Sequence, residues 1–154
     1  MTEYYKIFNV FQDKISDPDL LLLAKDVKRG YLAALLDRAL SRCQRAIGDA
    51  VNLIDRNGEL MVFTDDLSDE VIDILSEWMI VYWLKPYVNN ADHLRNELIT
   101  KDFSVFSPAD LLDRIGVHYD RAYRQAKSLT NEYSFTVSPI GELGRGLPLR
   151  GAHG

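Results

Sequence analysis

At 154 residues with 47% apolar side chains, the chain is long enough to bury a core of its own and fits one domain. Its net charge of −5 argues against a protein that grips nucleic acid with its whole surface, and the single cysteine, Cys43, excludes an internal disulfide. The opening stretch MTEYYKIFNVFQDK has neither a basic segment nor a long apolar run, so no signal peptide or membrane span is expected, and the product is expected to be soluble and intracellular when made.

In chain order, Tyr4, Phe8, Phe11 and Ile15 recur at helical spacing and predict a first helix with an aromatic stripe. Ser16-Asp17-Pro18 is a stop and a restart, because proline is tolerated at the first helical position. The next helix is predicted from about Pro18 to Lys28, with Gly30 as a break or bend, after which Leu32, Leu35, Leu36, Ala39, Leu40, Cys43 and Ile47 form an amphipathic face. Between Gly48 and Asp66 the pattern changes. Val51–Ile54 and Leu60–Phe63 flank Asp55-Arg56-Asn57-Gly58, which predicts a β-hairpin or an ordered loop.

Leu67 to Pro86 reads as the central helix. Ser68 is the N-cap, Asp69 and Glu70 suit the positive end of the helix dipole, and Leu67 and Ile72 are placed for a hydrophobic staple. Trp78 to Leu84 is apolar nearly all round, as in a helix buried on several sides, and Lys85-Pro86 is the expected end. A short helix is expected over about Asn90 to Leu98. Ser107-Pro108 then opens a long helix along Leu111, Ile115, Ala122, Ala126, Leu129 and Tyr133. Phe135-Thr136-Val137 is a possible short strand, and Pro139 to Gly154 holds five glycines and two prolines among sixteen residues, too few apolar groups for a core. The expected fold is thus mainly α. A bundle of about four to five helices spans residues 1–134, a hairpin or loop insertion lies at about 49–66, and an extended arm covers 135–154.

Charge is segregated. Lys25, Lys28, Arg29, Arg38, Arg42 and Arg45 against Asp26 and Asp37 leave +4, whereas Asp49, Asp55, Glu59, Asp65, Asp66, Asp69 and Glu70 against Arg56 leave −6. These segments are either two solvated faces or two patches that meet between repeated subunits, where complementary charge fixes register.

Catalytic signatures are missing from the sequence. His93, His118 and His153 share no metal-ligand spacing, and Asp92-His93 and His118-Tyr119-Asp120 are neighbours that do not face each other on a helix. The glycine-rich run from Gly141 to Gly146 follows no βαβ pattern and reads as a mobile arm rather than a nucleotide cradle. Trp78, Tyr82, Trp83 and Phe103 read as core rather than as a platform for bases, because basic residues are not interleaved with them. No cofactor, metal or catalytic residue is expected.

Three pieces line up in order: Leu67–Glu70 running into Ile74–Leu84, then Lys101–Leu112 with its Asp102-Phe103 and Ser107, then a long helix ending at Asn131–Ser134. Over residues 67–134 this resembles the head–tail connector (adaptor or neck) proteins of tailed bacteriophages, departing from their pattern in its longer tail and at Pro108. The resemblance implies a non-enzymatic virion protein, made in the host cytoplasm, that forms a dodecameric ring under the portal. The ring extends the DNA channel and offers a platform to the next neck or tail protein.

On that reading Phe135, Val137, Ile140, Leu143, Arg145, Leu147, Leu149 and Arg150 form a portal-docking arm. The acidic set is expected to line the lumen or an inter-subunit contact, where it lets double-stranded DNA slide without specific binding. Lys28, Arg29, Arg38, Arg42 and Arg45 are its inter-subunit basic counterpart. The rival expectation is a small helical DNA-binding regulator or antitoxin-like module, with the helix around Lys25–Arg45 as its only basic candidate. An enzyme with a site in the bundle core would need ionisable groups between Trp78 and Leu84, and there are none.

Overall fold

A computed structural model describes residues 1–93 and 108–137. Its elements are β1 (Thr2–Glu3), α1 (Tyr4–Asp13), α2 (Pro18–Lys25), α3 (Arg29–Ile47), β2 (Arg56–Asn57), β3 (Val62–Phe63), α4 (Asp69–Asn89) and α5 (Pro108–Val137). The mainly helical fold is as expected.

The centre is α4. Ser68 caps it, its hydroxyl accepting from the Val71 amide at 3.3 Å, and the staple residues Leu67 and Ile72 are both buried. Buried side chains run all round the helix, from Val71 through Trp78, Met79, Trp83 and Leu84 to Tyr87. From Ile74 to Leu84 no residue of the helix is exposed, and a stretch with no solvent face must be covered on every side. It is covered by α1, α3 and α5. The cover from α1 is Tyr4, Ile7, Phe8 and Phe11; from α3, the seven apolar residues foreseen; and from α5, Leu111, Ile115, Ala122 and Ala126.

Pro86 does not end α4, which continues to Asn89. Packing outweighs the local preference, since Tyr87 beyond the proline is buried and the Asn90 amide bonds to the Pro86 carbonyl at 2.9 Å. Residues 91–93 are helical, and the rest of the helix expected to Leu98 lies outside the described residues, as do Phe103 and Ser107.

The second helix stops at Lys25 rather than Lys28, and Gly30 is the second residue of α3 rather than a break. The expected restart is met at Pro18, and Asp17 before it is the N-cap, its carboxylate accepting from the Asp19 and Leu20 amides. The possible strand at 135–137 is helical, because neither proline nor glycine stands between Gly116 and Pro139 to break α5; the Thr136 hydroxyl bonds back to the Glu132 carbonyl at 2.8 Å. Any extended arm therefore begins after Val137.

The hairpin is present but shifted. Its strands pair Arg56 with Phe63 and Asn57 with Val62, while Val51–Ile54 is loop anchored by buried Leu53. Asn57-Gly58 is not a two-residue turn. The Asn57 side-chain oxygen accepts from the Glu59 and Leu60 amides at 3.0 and 2.9 Å, and Met61 takes the left-handed conformation (φ 56°) that closes the longer loop. A third strand has no local signal: β1 pairs antiparallel with β3, Thr2 opposite Phe63, giving the order β1-β3-β2. The Thr2 hydroxyl accepts from the Leu67 amide at 2.8 Å, and the Met1 amino group bonds to Asp66.

The start of α2 is tied to α5 by a forked ion pair. Arg114 Nε and Nη2 reach the two oxygens of Asp17 at 3.0 and 2.5 Å, and Nη2 also reaches Asp19 at 3.2 Å. Burial pushes the Asp17 carboxyl up, but hydrogen bonds from Arg114 and from the Asp19 and Leu20 amides, with the guanidinium charge, hold it below its ordinary value. A depressed carboxyl adds stability above its unfolded pKa and loses it as pH falls through the folded one. Arg114→Gln is expected to cost about 2 kcal/mol at neutral pH, the usual scale for hydrogen bonds to a charged group. It should also flatten the loss of stability on acidification below about pH 4. Urea denaturation across pH checks both; equal losses at all pH values would refute the link to Asp17.

Candidate interaction surfaces and a polar cleft

The seven acidic residues are all exposed and follow the chain from the end of α3, over the sheet, to the first turn of α4. Asp66 is bound by the amino terminus and Asp69 by Lys6 at 3.4 Å. Asp55 accepts from the Asn52 amide at 2.8 Å. Asp49, Asp55, Glu59, Asp65 and Glu70 have no cationic partner among the described residues. Apolar side chains stand out beside this charge, with Ile54 66% and Leu60 71% exposed.

The basic set does not form one patch. Arg38, Arg42 and Arg45 recur at intervals of four and three along α3 and share a face, whereas Arg29 lies about half a turn round the axis. Two of the set are already engaged: Arg29 stacks 4.6 Å from the Tyr5 ring and Arg42 4.5 Å from the Trp78 ring. The opposite side of Trp78 is held by α5. Its Nε1 donates to Thr130 at 2.9 Å and Tyr123 meets it edge-on. Of the proposed arm, Phe135 and Val137 belong to α5, with Phe135 61% exposed; Ile140, Leu143, Arg145, Leu147, Leu149 and Arg150 lie outside the described residues.

A cleft of about 360 Å³ opens between α1, α2, α4 and α5. Its floor is Ile15, Leu20, Ile80, Trp83, Leu84 and Ala122, and its rim is Lys14, Glu77, His118, Arg121 and Gln125. Lys14 Nζ is committed to Glu77 at 3.1 Å, to the Asp73 carboxylate at 3.2 Å and to the Asp73 carbonyl. His118 lies 3.7 Å from Asp17 rather than against its neighbour Asp120. Sequence reading missed this cleft. The one usable signal was Arg114 and His118 four residues apart on one face of a helix, with nothing to say that Asp17 faces them.

Burial pushes the Cys43 thiol up to about 12, so it is an inert core group. Among the described residues, no cluster of His, Cys, Asp or Glu is placed to hold a metal ion, and no helix is long and apolar enough to cross a membrane. No protein-family model, curated protein or solved structure matches this chain.

Because Arg42 packs on Trp78 while Arg38 and Arg45 are exposed, Arg42→Ala is expected to cost about 1 kcal/mol. Arg38→Ala and Arg45→Ala should stay within about 0.5 kcal/mol. Equal effects of all three in chemical denaturation would contradict the stacking.

Proposed function

We propose that the chain is a structural virion protein, a head–tail adaptor that forms a ring beneath the portal and joins the capsid to the neck or tail. The reading rests on the pattern over 67–134, whose described part becomes the packed pair α4 and α5 at the centre of the fold. The surfaces agree with it. The body is rigid and tightly packed, and a short sheet carries a preorganised tip with exposed Leu60 and unpaired carboxylates. The chain continues past the exposed end of α5 into a segment whose apolar residues have glycines and prolines between them. Partners on this reading are the portal, a downstream neck or tail-completion protein and further copies of the chain. Double-stranded DNA passes an acidic lumen without being gripped. A DNA-binding regulator is disfavoured because Arg29 and Arg42, in the only basic stretch, are stacked on aromatic rings.

Mixing the protein with a candidate portal ring and weighing the product by native mass spectrometry tests the proposal. Full-length chain should bind at a stoichiometry matching the portal, and a chain cut after Val137, where α5 ends, should not. Failure of both to bind, with a salt-dependent shift of DNA by the full-length chain, would replace the adaptor with the regulator.

A further inference from the structure

Among the described residues two buried side-chain atoms have no hydrogen-bond partner, Gln44 Oε1 and Trp83 Nε1, and of the two residues Trp83 lines the cleft between α1, α2, α4 and α5. Trp83 is 1% exposed, forms part of the floor, and its Nε1 has no hydrogen-bond partner. An unpaired buried donor is costly, and native cores rarely keep one without a use. The rim adds further free donors. Arg121 and Gln125 are exposed and make no bond to another described residue. Glu77, the only carboxylate lining the cleft among the described residues, is neutralised by Lys14, and Asp17 faces His118 and Arg114 from outside it. The charge left over among the described lining residues is therefore the Arg121 guanidinium. An apolar floor with a few converging donors, in a volume within the range of small-molecule clefts, fits one kind of ligand.

We propose that this cleft binds a small carboxylate carried on an apolar body. The body lies on Ile80, Trp83 and Leu84, the carboxylate takes the Arg121 fork with help from Gln125, and an acceptor atom at the floor pairs with the Trp83 indole N–H. The inference is independent of the adaptor reading, because it uses no ring, portal or arm.

The test is isothermal titration of the full chain with 6-hydroxy-2-naphthoate, whose hydroxyl oxygen supplies the acceptor at the floor, beside its uncharged carboxamide. The acid is expected to bind at one site, and Arg121→Gln to weaken it roughly tenfold, the scale of one charge-assisted bond. Arg124→Gln, on the same helix but outside the lining, should leave affinity unchanged. The two tryptophans give a second readout in nitrogen-15 NMR that needs no core mutation. On saturation the Trp83 indole N–H signal should shift, and that of Trp78, already bonded to Thr130, should stay. Equal affinity for acid and amide, unchanged binding in Arg121→Gln, a Trp83 signal that does not move, or no heat at millimolar hydroxynaphthoate would each overturn the proposal.

Discussion

Burial of α4 on every side is the constraint from which the rest of the structure follows. Its residues from Val71 to Tyr87 leave no polar stripe wide enough to face water. Each large apolar side chain removed from water contributes about 1.5–3 kcal/mol, so the helix can exist only inside a jacket of other elements. That requirement draws α1, α3 and α5 round it, and their stripes match. The polar groups that α4 carries into this interior are then dealt with singly. The Ser76 hydroxyl bonds back to the Asp73 carbonyl at 2.8 Å, Glu77 takes Lys14, and the Trp78 indole takes Thr130. Thr130 in turn bonds to the Ala126 carbonyl at 2.6 Å, so the chain of donors ends within the α5 backbone.

The edges are held differently. The sheet is only two residues wide on each strand, too short for independent stability, and is kept by what it touches. Phe63 is fully buried and packs 5.0 Å from the Tyr4 ring, and the Tyr4 amide bonds to the Met61 carbonyl. The first residues of the chain are thereby locked to the entry of α4. Burial raises the Tyr4 hydroxyl pKa, partly opposed by Arg56, whose guanidinium also reaches Asp37 of α3. A rigid tip results, and its exposed Leu60 is presented rather than left to wander. Preorganisation of this kind reduces the ordering cost of any later contact.

What was legible in the sequence was periodic or capped. The faces of α1 and α3, the Ser68 cap, the restart at Pro18, and the burial of α4 around Trp78 to Leu84 could be read because spacing and capping chemistry are local. Three features could not. Pro86 was misread because the proline rule is local and the burial of Tyr87 is not. Thr2–Glu3 gave no strand signal because two residues become a strand only when a distant partner, here Val62–Phe63, offers an edge. The cleft was invisible because its walls come from four helices, and its defining relations, Lys14 to Glu77 and Asp17 to Arg114, join residues far apart in the chain. The basic set divides between two faces for a related reason. A count of charges along a segment ignores the turn of the helix, which sets Arg29 apart from Arg38, Arg42 and Arg45.

The two tryptophans of α4 show where packing and function part company. Trp78 sits at the meeting of α3, α4 and α5 with every feature answered: its N–H by Thr130, one ring face by Arg42, its edge by Tyr123. Trp83 is as deeply buried and meets Phe11 edge-on at 5.6 Å, yet its N–H is unanswered. Both lie in one helix under the same demand for burial, so the difference comes from what faces them. Opposite Trp78 the sequence places threonine; the cleft beside Trp83 is floored by aliphatic side chains, and its donors stand at the rim. Of the residues behind the connector resemblance, Ile74 to Leu84 are buried or half-buried and therefore report the shape of the body. The groups that the packing leaves over among the described residues are the carboxylates and Leu60 of the sheet end and the donors round Trp83.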